Sequence, residues 1–400
     1  MRKNPCELQV DLFCRGMRID PSCLEAGDLP SLARARAGLG SGVDLVIPGG
    51  PPLHRDVWVN VPVGESFVEA TPYLLRCGGG IELLDRRDGE VYPVRLPAEP
   101  AWYRRRTGSG VEMRRVGVLQ GTYLGVYVGD PCHFWRGEGT LRCRFCTTGL
   151  NVDPDRVTTV DEVVETARVA KEESGVTFVH LNTGYQGGEA LRVMVPFVTA
   201  LKERVGVLVG VQVVPEGPLS ELDRLRELGC DHFSFCYEYH NPGYFRCLCP
   251  GKEAVVGQQA FFEALEHCQA RMPRGSCSGE IIAGNEPVED TLAAIDWITG
   301  IGAFPTVCIF RPLVGSYMSH WPVPSYETMR AVMKHLWRRC RERAVPIGLA
   351  PNIEVSLIVQ PTDAAYLADG SWRDRWYLFR LGLLRRLAAP AFRRRMARTG

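Results

Sequence analysis

From residue 122 onward the chain alternates short apolar runs with amphipathic stretches six times in succession, and this repetition limits the possible folds more than any other feature. The runs at 123–128, 176–181, 207–214, 232–237, 279–283 and 306–310 have the length of buried strands. Helical stretches follow at 159–174, 190–204, 219–228, 254–270, 287–299 and 326–343, the first opened by the capping box Thr159-x-x-Glu162. Repeated strand–helix units imply a parallel sheet with right-handed crossovers. The expected fold class is therefore α/β, a partial (β/α)6 TIM-like barrel whose chemistry sits at the C-terminal ends of its strands.

The flanks read differently. Residues 1–115 carry turn-rich pieces, Pro48-Gly49-Gly50-Pro51-Pro52 and Gly78-Gly79-Gly80, around short apolar runs at 57–63, 81–84 and 91–96. That pattern predicts a small N-terminal β-rich accessory domain. Polar residues 104–112 read as a linker into a barrel domain spanning 116–345, and residues 346–400 are left as a C-terminal extension. Nine arginines against one aspartate put +8 into residues 371–400, so a chain of net charge +1 has a body of −7. There Trp372, Trp376, Tyr377, Phe379, Leu381, Leu383 and Leu384 interleave with arginine at near-helical spacing. Such a segment suits an anionic membrane, nucleic acid or an acidic partner. The expectation adopted is instead a basic C-terminal helix packing its apolar face on the acidic body.

Lys+Arg 47 against Asp+Glu 46 excludes a generally basic nucleic-acid binder. Fifteen cysteines, an odd number in a long chain, argue against a disulfide framework and for thiols in a reducing compartment. The first residues show no signal-peptide pattern, and no apolar stretch approaches the roughly 18–20 residues of a membrane span, so a cytoplasmic protein is expected. Three of the cysteines, Cys132-x10-Cys143-x2-Cys146, fall in the loop after the first barrel strand. Cys-x2-Cys brings two thiolates to one centre and the longer loop supplies a third. Three thiolates on a cubane cluster leave one iron open to another ligand. The bland reading is three incidental thiols in a loop; a structural zinc site, the other alternative, would want a second Cys-x2-Cys or Cys/His pair nearby. His133 is near, and Cys247-x-Cys249 has the wrong spacing. A second cluster built from Cys6, Cys14 and Cys23, or from Cys230, Cys236, Cys247 and Cys249, is a further alternative.

This layout resembles the radical S-adenosylmethionine (radical SAM) superfamily, whose usual signature is Cys-x3-Cys-x2-Cys after the first strand, with an aromatic just before the last cysteine. Phe145 holds the aromatic position, and Cys143 and Cys146 match the last two cysteines. The first gap is ten residues rather than three, and Cys132 is the candidate third ligand from its place at the strand end. Across 123–359 the arrangement looks most like the biotin-synthase-like branch, and residues 1–115 carry no resemblance.

The resemblance implies a [4Fe-4S] cluster on Cys132, Cys143 and Cys146, with S-adenosylmethionine (SAM) on the open iron. Gly187-Gly188-Glu189 looks like the family's element for the methionyl amino group, and Glu238 sits where family members contact ribose or the methionyl carboxylate. Ile281 and Glu286 fall in a partial Gly-x-Ile-x-Gly-x-x-Glu match, Ala283 standing for the second glycine. Substrate-side candidates are Gln212, Glu216, Tyr239, His240, Arg246, Arg311, Tyr317 and His320, of which Tyr239, His240 and Arg311 are the catalytic candidates. The activity implied is oxygen-sensitive reductive cleavage of SAM to a 5′-deoxyadenosyl radical that takes hydrogen from a small-molecule substrate. An electron donor such as flavodoxin or ferredoxin is then implied as partner. The rivals are a structural zinc protein without radical chemistry, and non-classical cleavage that transfers another SAM fragment.

Overall fold

The computed structural model describes residues 2–21, 23, 42–77, 80–136, 140–153 and 155–397; Gly78 and Gly79 of the second turn-rich piece lie outside them. The chain opens on a helix, α1 (Pro5–Arg15), with Asn4 and Glu7 forming a reciprocal capping box. Small strands follow: β1 (Arg18–Ile19), β2 (Val43–Ile47), β3 (Val57–Val61), β4 (Tyr73–Cys77), β5 (Ile81–Asp85) and β6 (Val91–Pro93). They pair as β2–β3 and as a sheet in the order β1-β4-β5-β6. Strand β1 lies parallel to β4, which brings Cys23 to Cys77 with Cα atoms 4.9 Å apart, and the two are disulfide-bonded. The expectation that every cysteine is a thiol is corrected there.

The main sheet has seven strands in the order β13-β12-β11-β10-β9-β8-β7. Strand β7 (Gly117–Leu119) is an antiparallel edge. The six parallel strands are β8 (Leu124–Tyr127), β9 (Phe178–Asn182), β10 (Leu208–Gln212), β11 (His232–Glu238), β12 (Cys277–Ala283) and β13 (Phe304–Ile309). Successive strands are spatial neighbours and the sheet does not close between β13 and β7, which is the partial barrel expected. The helices are α2 (Thr148–Asn151), α3 (Val160–Ser174), α4 (Ala190–Ala200), α5 (Leu219–Glu227), α6 (Pro242–Leu248), α7 (Pro250–Val255), α8 (Gln258–Arg271), α9 (Val288–Gly300) and α10 (Tyr326–Glu342). Both halves of the Thr159/Glu162 capping box form at the start of α3. The single helix expected at 254–270 is broken, because Gly257 takes φ +78 between α7 and α8.

Residues 104–112 do not hang free as a linker. Gly108 and Ser109 hydrogen-bond to Glu165 and Glu162 of α3. One continuous buried core includes Leu8 and Leu12 of α1, Val57 and Val59 of β3, the barrel strands, Leu336 of α10 and Tyr377 near the C-terminus. The open side of the barrel is covered from within the chain. Residues from Pro346 to Thr362 line its interior, and Gly121 bridges Val355 beside β7. The last helix, α11 (Trp372–Arg395), follows from Ser371, which caps it reciprocally with Asp374. Its far end reaches the floor of the barrel. Phe392 and Met396 pack on Tyr123, Phe178 and Leu208. Among the described residues no helix is long and apolar enough to cross a membrane.

Candidate metal centre at the barrel mouth

Strand alternation decides what faces the interior. Asn182, Gln212, Cys236, Glu280 and Cys308 end up around one cavity of about 840 Å³ inside the half barrel, and Cys132, Cys143 and Cys146 line its mouth. Two separate contacts hold the cysteine loop there. Cys132 lies against Gly184 just past β9: a Cβ on Gly184 would stand 2.8 Å from Cys132 Sγ and 2.9 Å from its Cα, so only glycine leaves room. Next to it the His133 N–H donates to Tyr185 O (2.9 Å), and the Phe134 ring stacks on Tyr185 at 4.4 Å. The second half of the loop is tied to α6 and α7. Arg144 N–H donates to Leu248 O (2.8 Å) and Gly251 N–H to Leu141 O (2.9 Å). Residues 137–139 between the two halves lie outside the described part of the loop.

The three thiols sit in different electrostatic settings. Burial raises Cys132 to about 12 and raises Cys146, whose Sγ accepts from Thr148 N–H (3.4 Å). Cys143 is lowered, first by a hydrogen bond with Cys249 and further by the ammonium of Lys252. Lys252 was not expected from sequence, and Cys249 was considered only with Cys247 or as part of a separate second cluster. Their approach to Cys143 joins segments about a hundred residues apart and leaves no local spacing to read. Lys252 is buried, with Nζ donating to Cys236 O (2.6 Å) and Glu238 Oε1 (2.7 Å). Burial alone would push its pKa down, but Glu238 and the thiols of Cys143, Cys249 and Cys236 hold it protonated. Glu238 takes φ +67 at the end of β11, a strained geometry for a side chain that the ion pair fixes in place.

Other expected residues fall in and out of this site. Glu238 and Arg311 line the cavity; Arg311 donates to Asn60 O (2.7 Å), so the N-terminal region reaches the mouth. Gln212 also lines it, donating to Glu280 (2.9 Å) and to Cys236 Sγ, while Ser234 donates to Glu280. Glu189 lies outside, 55% exposed and paired with Arg192. Gly187 and Gly188 are not in the cavity lining, and the loop they form wraps around Glu216, which accepts from the N–H groups of Gln186 and Gly188. At Ile281 the strand register turns the side chain into the core behind the sheet, and Ile282 faces the cavity instead. Glu286 is buried away from the cavity, accepting from Asn241 N–H (2.9 Å), and its burial raises it to about 7. Tyr239 is buried behind Phe145 and accepts from Asn285 (3.0 Å). His240 packs among Tyr237, Phe262 and Trp297. Arg246 is exposed beside Glu253, Tyr317 lies under the guanidinium groups of Arg142 and Arg144, and His320 is exposed.

The proposed second clusters do not assemble. Cys6 and Cys14 are buried on α1, Cys23 is bonded to Cys77, Cys230 is buried at the barrel floor and Cys247 is exposed. Among the described residues no three or more Cys, His, Asp or Glu side chains gather closely enough to hold one metal ion.

The floor of the cavity carries a testable consequence. His180 and His232 stand 5.7 Å apart between the rings of Phe178 and Phe304. Desolvation lowers them to about 3 and about 4, so both are neutral in the folded chain. The unfolded chain takes up protons below its ordinary value near 6.5 that the folded chain refuses, so this stability is complete above that pH and is lost on acidification toward pH 4. Each histidine is expected to cost about 2 kcal/mol between pH 7 and pH 5. Urea unfolding at the two pH values checks this. His180→Phe should flatten the difference, and an unchanged difference in His180→Phe and His232→Phe alike rules the account out.

Fold and site define an α/β half barrel with three thiols at the mouth of a mostly apolar cavity that carries a few polar side chains, Gln212 and Glu280 among them. No family model matches the chain. Over 112 residues it is 26% identical to the bacteriochlorophyllide c C-7(1)-hydroxylase of Chlorobaculum limnaeum, and the aligned part spans 28% of each chain. Among solved structures it is similar to methylornithine synthase (18% identity, 65% of this chain and 81% of that one, TM-score 0.43). It is also similar to a radical SAM methyltransferase from Sphaerobacter thermophilus (15%, 65% and 70%, TM-score 0.42). A third likeness is to coproporphyrinogen III oxidase from Escherichia coli, a radical SAM enzyme (16%, 58% and 55%, TM-score 0.37).

Proposed function

We propose that this chain is a radical SAM enzyme whose Cys132, Cys143 and Cys146 hold a [4Fe-4S] cluster with SAM bound alongside it in the barrel. The observation that carries the reading is the meeting of three thiols from one loop at the mouth of a single cavity, the first of them seated against a glycine that leaves no room for any other residue. The donor set suits iron, since soft thiolates are the usual ligands of such clusters. When bound, the cluster supplies the electron that cleaves a carbon–sulfur bond of SAM.

The chain's own residues do the rest. Glu238, fixed by Lys252, offers a carboxylate to the polar end of SAM, a task Glu189 is too far outside to share. Gln212, Cys236, Glu280 and Ser234 form a hydrogen-bonded patch across the interior that orients a small-molecule substrate. Residues 346–362 and the Asn60–Arg311 contact keep water from the mouth. The electron comes from a reduced flavodoxin- or ferredoxin-type donor.

Anaerobic reconstitution with iron and sulfide is expected to give a brown protein with about four irons per chain. The Cys132→Ala/Cys143→Ala/Cys146→Ala variant should hold almost none. Reduction with dithionite in the presence of SAM should release 5′-deoxyadenosine and methionine. Release of a different SAM fragment would favour the non-classical reaction, and a colourless protein that takes up only zinc overturns the proposal.

A further inference from the structure

Helix α11 has two faces, and only one is used inside the molecule. Asp374, Tyr377 and Leu381 are buried, Asp374 accepting from Trp337 Nε1 (3.0 Å) and Arg341 (2.6 Å) and Tyr377 packing on Trp337. Phe392 and Met396 carry the same face onto the barrel floor, where Arg395 pairs with Asp231. The packing expected of the tail therefore occurs, through Tyr377 and Leu381 but not through the other large apolar residues of the helix. Trp372, Trp376, Phe379, Leu383 and Leu387 are each between 48% and 67% exposed.

Their spacing, four, three, four and four residues, places all five in one stripe on a helix, about 80° wide and about 22 Å long. The stripe lies opposite Tyr377 and Leu381. Arginines border it on both sides: Arg373 and Arg380 on one, Arg375, Arg386 and Arg393 on the other, with Arg394 near its end, all exposed. The single acid of the helix, Asp374, is consumed by the inner face.

We propose that the outer face of α11 docks the protein on an anionic lipid bilayer surface. A stripe of Trp, Phe and Leu flanked by arginines matches the layered chemistry of such a surface, with acyl chains beneath and phosphates at the sides. The inner face clamps the helix to the body, so it lies flat, with its apolar stripe outward. A second copy of the chain fits poorly, because pairing two such stripes sets arginine rows against each other. Nucleic acid would use the arginines but leave five large apolar side chains in water. Since Ala388, Ala391 and Phe392 of the same helix line the barrel cavity, docking would bring the floor of that cavity to the membrane.

The experiment is cosedimentation of the purified full chain with vesicles of phosphatidylcholine alone or mixed with phosphatidylglycerol. Binding to the anionic vesicles is expected to be at least tenfold tighter than to the neutral ones and to weaken in high salt. Trp376→Ser/Phe379→Ser/Leu383→Ser should lose at least tenfold in binding with little change in the unfolding midpoint, because these side chains are 48–63% exposed on the outer face. Arg375→Gln/Arg380→Gln/Arg386→Gln should lose the preference for anionic lipid. Absence of binding to both vesicle types overturns the proposal, as does binding that the serine variant leaves intact. A dimer in sedimentation velocity that the serine variant disperses would assign the face to a second copy instead.

Discussion

Replacing Lys252 with methionine is expected to destabilise the apo chain by about 3–5 kcal/mol, the cost of leaving one member of a buried ion pair without its partner. The pair is closed on every side. Lys252 Nζ reaches Glu238 Oε1 at 2.7 Å and Cys236 O at 2.6 Å, and both side chains are almost wholly shielded from water. With methionine in place, Glu238 must stay charged in an apolar setting or take a proton, and Cys236 O loses its donor. Glu280 is already buried nearby and pushed upward by desolvation, so little in the vicinity can offset the stranded carboxylate. Adding Glu238→Gln removes the charge and should recover more than half of the loss, which a double-mutant cycle by urea unfolding measures. A single-variant loss below about 1 kcal/mol would mean that water reaches the pair and screens it.

What could be read in advance, and what could not, follows from the range over which the determining forces act. The six barrel strands were legible because burial on both faces of a parallel sheet demands near-continuous apolar runs. The Thr159 capping box was legible because it is written in four residues. The spacing of Cys132, Cys143 and Cys146 was visible in the sequence, and their place past the first strand is what brings all three to the cavity. Lys252 and Cys249 were not, since their relation to Cys143 depends on how α6 and α7 fold back across the mouth. Nor was the placement of Glu189 outside the cavity and of Glu238 in its lining. Both follow barrel strands, but the loop at 186–188 closes around Glu216 and turns Glu189 outward. Ile281 and Ile282 differ by one residue, which in a strand reverses the face, and only pairing with β11 and β13 settles the register. The aromatics of the tail were seen as apolar at helical period, and periodicity alone cannot say which of two apolar faces is the buried one.

Gly184→Ala is expected to cut iron loading of the reconstituted chain at least fivefold while leaving the barrel folded. The backbone at Gly184 is outside the left-handed region, so alanine is allowed there on conformational grounds. The obstacle is Cys132. The added methyl would press on its Cβ, Sγ and Cα together, and no side-chain rotation moves a Cα. Something must shift, and the part of the molecule with least to hold it is the cysteine loop, tied on this side by the hydrogen bond from His133 to Tyr185 and the Phe134–Tyr185 stack. Overpacking of this kind costs about 1–3 kcal/mol locally, small against the folding of a shared core but enough to move one thiol away from a cluster position. Gly64→Ala is the control, since nothing lies within 4 Å of the added methyl there. Iron content and the visible absorption of the cluster, read side by side for the two variants, separate a displaced ligand from a general effect of added bulk. If Gly184→Ala binds iron as fully as Gly64→Ala, Cys132 is not a ligand, and the third thiolate must be sought at Cys249, the other cysteine beside Cys143.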